Sequence, residues 1–380
     1  MKIIKAYIYS MNIPLRHPFG HSSFRRSYSD SIIVKVVSSD GIAGFGEGVA
    51  RPYVTGETTA AAVEHIRRVL LPAVMKIRID TPVHDVLEYL NTVIPSPAAD
   101  EGVIAWNAAR TAVETALLDC YLKTHGQSLS AVLPRRNDAV HYSLVIGSGA
   151  VTAAERTAWL CRLAGITDIK IKVGGANDLK RIATVRKVVG GGVSIRLDAN
   201  GAFDRDRALA FIDAASRYDI ACIEQPQPRG AEHELADIMR RSPVPVMADE
   251  SLVTIDDARR LIERQACGLF NVRVSKCGGI YNALQIIAHA EKNGIDVQLG
   301  CMVGETSILS AVGRHMAFHI DGIRFLEGSY GTFLLQHDIA TKSIRFGWGG
   351  AARPLSSPGL GCDIREQSIR RYSRDILQVV

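Results

Sequence analysis

One pattern constrains the fold of this chain more than any other: charged residues recur where short apolar, β-type runs end. In order these are Lys170-Ile-Lys172, Leu197-Asp198-Ala-Asn200, Ile223-Glu224-Gln-Pro, Ala248-Asp249-Glu250 and Val274-Ser-Lys276-Cys-Gly-Gly. The acids at 198, 224 and 249 follow one another at steps of 26 and 25 residues. One strand plus one helix takes up such a step, so successive strands of a parallel barrel would aim the three carboxylates at one point.

The rest of the chain agrees with a barrel. Strand-like runs at 141–146, 168–173, 193–198, 220–224, 244–248, 269–274, 295–299 and 323–327 alternate with seven helical segments. That alternation predicts an α/β fold, a (β/α)8 TIM-type barrel. Ahead of it, β-type runs at 2–12, 31–38 and 42–48 precede helical patterns at 57–75, 82–93 and from 105 onward. Strands followed by helices suggest a separate α+β unit. In its last helix, apolar residues at 109, 112, 113, 116, 117 and 120 predict a single buried stripe. The expected division is 1–125 for this N-terminal unit, 126–350 for the barrel and 351–380 for a segment returning to the first unit.

Composition narrows the class. Hydrophobic residues make up 47% and charged residues 22% of 380, ordinary for a soluble protein with a large core. The opening residues are broken by lysines and alternate like a strand, and no apolar run reaches the ~18 residues of a membrane span. A cytoplasmic protein without membrane contact is expected. Seven scattered cysteines without a CxxC pair argue against disulfide scaffolding and structural zinc. The net charge of +6 is spread over 45 basic and 39 acidic residues, with no basic stripe for nucleic acid.

In a parallel barrel, side chains at the C-terminal strand ends share one mouth. Asp198, Glu224 and Asp249 there form an oxygen-only donor set, suited to Mg²⁺ or Mn²⁺ rather than zinc. The plainer alternative is that each acid caps the helix that follows it. Lys170 and Lys172, two apart on one strand, point to the same face. Lys276 ends the sixth strand, across the barrel from the second. A carbon acid held between them would be flanked on both faces, with the metal stabilising the charge left by its proton. Alternatively, the lysines only balance the acids.

The Lys-x-Lys, Asp-x-Asn, Glu-Gln-Pro, Asp-Glu-Ser and Lys-Cys-Gly-Gly series resembles the enolase superfamily, muconate-lactonizing-enzyme subgroup. Gly44-Phe-Gly46-Glu47, Tyr53-Val-Thr-Gly-Glu57 and Pro358-Gly-Leu-Gly361 extend the likeness over nearly the whole chain. The resemblance implies an N-terminal capping domain, Mg²⁺ on Asp198, Glu224 and Asp249, and Lys172 and Lys276 as opposed acid/base catalysts. It implies that Lys170 polarises a substrate carboxylate, that Asn200 assists near the metal, and that Glu250 orients neighbouring groups. It also implies a small-molecule carboxylate substrate and a homo-oligomer.

Substrate-facing positions are expected in the cap loops at His21, Arg25, Arg26 and Tyr53, and at Cys301 and Met302 after the seventh strand. Arg25, Arg26 and Arg51 either recognise a second anion or are solvated. After the eighth strand the family's dipeptide epimerases carry an Asp-x-Asp pair, whereas this chain has Glu327-Gly-Ser, nearer to the cycloisomerases. Racemisation or epimerisation of an amino-acid derivative is the leading expectation. Cycloisomerisation, β-elimination and metal-dependent carboxylate binding without catalysis are the alternatives.

Overall fold

The computed structural model describes residues 1–21 and 24–379, with the backbone alone at positions 19, 21, 24 and 25. Eight parallel strands run in chain order: Leu144–Ile146, Asp168–Lys172, Ser194–Asp198, Ile220–Glu224, Val246–Ala248, Leu269–Arg273, Asp296–Gly300 and Ile323–Leu326. The ring closes where the Ser143 N–H and hydroxyl both donate to the Leu326 carbonyl, at 2.8 and 2.9 Å. Helices such as Asp178–Val189, Arg205–Ser216 and Ile280–Lys292 cover the outside, burying one face each.

Because side chains alternate along a strand, residues two apart share the barrel interior. Cys222, Met247, Leu269 and Phe325 make a buried apolar layer of their own inside the ring. Two residues further along, the interior turns ionic. Register brings Lys172 beside Asp198, and Asp198 beside Glu224.

The N-terminal unit is a four-stranded antiparallel sheet ordered Ser373–Val379, Ile3–Met11, Ile32–Ser38 and Ala43–Gly48. Its outermost strand is the C-terminal one, paired with the first. Helix Asn107–Thr124 lies on this sheet, and it is buried on every side from Asn107 to Leu122 rather than along one stripe. The sheet covers one face and a barrel loop the other. Such close packing requires glycine: a Cβ at Gly46 or Gly48 would collide with the helix carbonyls of Ala112 and Ala108.

Two local readings change. The helix expected over 57–75 is Thr59–His65, a π-type turn Ile66–Leu70 and a last turn Leu71–Val74. Pro72 at that junction has no N–H to continue the ordinary ladder. The segment read as a cap loop contains a hairpin, Ile13–His21 paired with Phe24–Ser29. Among the described residues, no helix is long and apolar enough to cross a membrane.

Candidate active site

The strand-end acids and the lysines do converge. Lys170 and Lys172 leave the second strand inward. Lys172 Nζ donates to Asp198 Oδ2 at 2.6 Å and to Asn200 Oδ1 at 2.9 Å. Lys170 Nζ stands 3.2 Å from Asp198, 3.2 Å from Glu224 and 2.8 Å from Glu327. On the far side, Lys276 Nζ donates to Asp249 Oδ1 at 2.8 Å and to the carbonyls of Asp249 and Asn271, each at 2.7 Å. The acids thus form a row from Asp198 through Glu224 to Asp249, with Lys172 at one end and Lys276 at the other.

Backbone geometry helps to hold that row. Asn200 and Gln225, just past the third and fourth strands, adopt left-handed φ values of 44° and 40°. Asn200 then bridges Lys172 to Glu250, donating to Glu250 Oε1 at 2.9 Å. The Gln225 side-chain carbonyl accepts from the backbone N–H groups of Asp249 and Ser251, at 2.9 and 3.1 Å, and so fixes the fifth strand end.

Two cations that belong to none of the sequence motifs complete the cluster. Arg273 ion-pairs with Asp249 and lies 3.5 Å from Glu224. Arg196 sits fully buried inside the barrel, pairing with Glu327 at 3.1 Å and Asp168 at 3.1 Å, and bonding Gln298. The signal was present: each lies on its strand at the period that places Lys170 below Lys172. Arg196 is two residues before Asp198, and Arg273 two after Asn271, whose Nδ2 donates to Glu224 at 2.6 Å.

Electrostatics reflect this crowding. Burial, then the nearby Asp198 charge, pushes the Glu224 carboxyl up to about 7. Burial followed by the charges of Asp249 and Asp198 does the same to Glu250, also to about 7. Burial pushes Asp198 upward too, but Lys172 and Lys170 outweigh it and hold the carboxyl low.

As they stand, the carboxylates turn toward lysine and arginine, and among the described residues no three acids form a ready-made metal cage. The donor chemistry nevertheless fits a hard divalent cation: carboxylates from three adjacent strands, oxygen only. Two further buried acceptors nearby, Glu250 Oε2 and Asn271 Oδ1, have no partner.

Of the substrate-facing expectations, Glu327 and Cys301 line one small void of about 10 Å³ together with Glu305 and Ser329, room for a single water. Glu327 is held between Lys170 and Arg196 rather than free. Met302 is buried, its sulfur 3.9 Å from Arg273. Tyr53 is 42% exposed on the short helix Pro52–Thr55. Arg26 pairs with Asp30 at 2.8 Å. The side chains of His21 and Arg25 lie outside the described residues. Arg51 is a correction: it is only 1% exposed and bonds Asp30 and the carbonyls of Ala50 and Val303 at 2.7–2.8 Å. It clamps the cap to the loop after the seventh strand and is not solvated.

Known proteins resemble this chain over its whole length. Residues 3–133 match the mandelate racemase/muconate lactonizing enzyme N-terminal domain, and residues 152–368 the enolase C-terminal domain-like family. The chain is 32% identical to the N-succinyl-L-Arg/Lys racemase of Bacillus cereus, covering 98% of each chain. The crystal structure of that racemase superposes over 100% of both chains with a TM-score of 0.89 at 29% identity. A dipeptide epimerase from Cytophaga hutchinsonii, complexed with Mg and the dipeptide D-Ala-L-Val, gives 0.87 at 25% identity, again over 100% of both chains. Muconate cycloisomerase 1 of Rhodococcus opacus is 26% identical over 99% of each chain.

Proposed function

Since the chain belongs to the mandelate racemase/muconate lactonizing enzyme family of the enolase superfamily, we propose that it moves a proton between the two faces of a carboxylate's α-carbon. The reaction is Mg²⁺-dependent racemisation or epimerisation of an N-acylated amino acid or a dipeptide. One observation carries this reading: Lys172 and Lys276 stand at opposite ends of the same row of acids.

Asp198, Glu224 and Asp249 would hold the ion, and Lys170, beside Asp198 and Glu224, would face the substrate carboxylate. When bound, Mg²⁺ supplies Lewis-acid stabilisation of the charge that builds on that carboxylate as the α-proton leaves. The neutral lysine on one face takes the α-proton, and the ammonium on the other face returns one of its own. The product is the mirror configuration, and the two lysines have exchanged protonation states. Reversal needs the same groups in opposite roles. Glu327, already shared by Lys170 and Arg196, offers no spare charge to a free ammonium, which favours an N-acylated amino acid over a dipeptide with a free amino terminus.

The test is incubation with Mg²⁺ in D₂O against N-succinyl-arginine, N-succinyl-lysine, dipeptides and muconate. Gain of one deuteron with loss of optical purity is the expected result. Formation of a lactone would move the assignment to cycloisomerisation, and binding without exchange would leave only a carboxylate binder.

A further inference from the structure

Lys276 does not belong to a strand. The sixth strand ends at Arg273, and Lys276 projects from the turn that follows, before helix Ile280–Lys292. A turn carries backbone groups that no ladder satisfies; here some are bonded within the turn, and the cap satisfies others. Asn107, the first residue of the cap helix, donates both hydrogens of its amide: to the Lys276 carbonyl at 2.6 Å and the Val253 carbonyl at 2.9 Å. Val253 lies on the loop that follows Asp249, so this one buried amide ties the turn of Lys276 to the loop of its carboxylate partner.

The same helix grips the turn further on. Arg110 donates to the Gly278 carbonyl at 2.8 Å, and Glu114 accepts from the Ile280 N–H at 2.5 Å. Helix Ile280–Lys292 has no side-chain cap of its own, and Glu114 stands in for one. Just past the last strand of the cap sheet, the Val49 N–H donates to Ser275 Oγ at 2.8 Å. Lys172 is held differently. Its carbonyl accepts from Arg181 at 2.7 Å, a residue of the barrel's own next helix.

We infer that the cap helix positions Lys276 but not Lys172, with Asn107 as the positioning residue that links the two domains at this base. The inference rests on the two-lysine reading above. The cap thereby does more than carry the substrate loops, because it also sets the reactivity of one face. Removing the amide leaves two buried carbonyls unsatisfied. Displacement of a reacting group by about 1 Å costs roughly 10²-fold.

The experiment follows α-deuterium exchange of N-succinyl-L-arginine and N-succinyl-D-arginine separately, with Mg²⁺, in the full-length protein. Lys172→Ala and Lys276→Ala serve as references for the two faces. Asn107→Ala is expected to slow exchange from the enantiomer that Lys276→Ala loses by about 10- to 100-fold, with the other changed less than about 3-fold. Ser275→Ala should shift the same enantiomer by less, and it carries the test if Asn107→Ala fails to fold. Equal slowing of both enantiomers would overturn the positioning role while leaving the two-lysine reading intact. If wild type exchanges neither enantiomer, that reading fails for this substrate class, and backbone hydrogen exchange decides the positioning role. Faster exchange across 274–280 in Asn107→Ala, with 168–174 unchanged, supports it; no difference between the two segments overturns it.

Discussion

Lys172 and Lys276 are the same kind of residue at the two ends of one row of acids, yet the protein builds them from different materials. Lys172 closes a strand, is 6% exposed and donates to two side chains, Asp198 and Asn200. Lys276 hangs from a turn, is fully buried and donates to two backbone carbonyls as well as Asp249. Side-chain acceptors can rotate with the lysine; backbone carbonyls cannot. Under the proposed function, a reaction symmetric in its chemistry would be served by one adaptable lysine and one fixed lysine. The two directions of proton transfer then need not respond alike to the same perturbation.

Metal removal should erase the comparison altogether. Chelation is expected to lower turnover of either enantiomer by about 10³-fold or more, since Lewis-acid stabilisation contributes several kcal/mol, and Mg²⁺ should restore it. Activity that survives exhaustive chelation, checked by metal analysis, would break this account of the acids.

A sharper and smaller effect is expected at Asn200. Asn200→Ala removes one of the two acceptors of Lys172 and the partner of Glu250. Exchange on the Lys172 face should slow about 10-fold, a loss on the scale of one buried hydrogen bond, while the Lys276 face keeps its rate. Parallel loss on both faces would mean that Asn200 serves the metal site as a whole.

The smallest effect lies at another point of the seam between cap and barrel. Glu47 accepts from the Thr306 N–H and hydroxyl and the Leu309 N–H, at 2.7–3.1 Å, joining the cap to the barrel. Burial pushes its carboxyl from the ordinary 4.5 up to about 7, despite those hydrogen bonds. The folded state therefore binds this proton more tightly than the unfolded chain, and stability falls as pH rises from about 4.5 through 7. Between pH 6 and 8 the Glu47 contribution is about 1 kcal/mol. Denaturation of wild type and Glu47→Gln at both pH values measures it: the variant should show the weaker pH dependence, and equal slopes would refute the shift.

The barrel half of the site was legible because a strand repeats every two residues and a βα unit about every 25. That arithmetic places Lys170, Lys172, Asp198, Glu224 and Asp249 on one mouth without any knowledge of packing. It could also have found Arg196 and Arg273, which obey the same period but carry no motif that draws the eye. Lys276 was recognisable, but its support was not. Nothing in the sequence ties Asn107 to a turn that lies 169 residues away. Arg51 was misread for the same reason, since Asp30 and Val303 meet it only in the folded chain. The hairpin from Ile13 to Ser29 was hidden by Pro14, Pro18 and a run of polar residues that blur the alternation of a strand.

The most direct measurement of the central claim is enantiomer-resolved α-deuterium exchange in Lys172→Ala and Lys276→Ala, each loaded with Mg²⁺. Opposed bases predict that both variants lose racemisation, by about 10²- to 10⁴-fold. Each should still exchange the α-hydrogen of one enantiomer, and the two should keep opposite ones. Loss of exchange from the same enantiomer in both, or full racemisation in either, would contradict proton transfer between two faces.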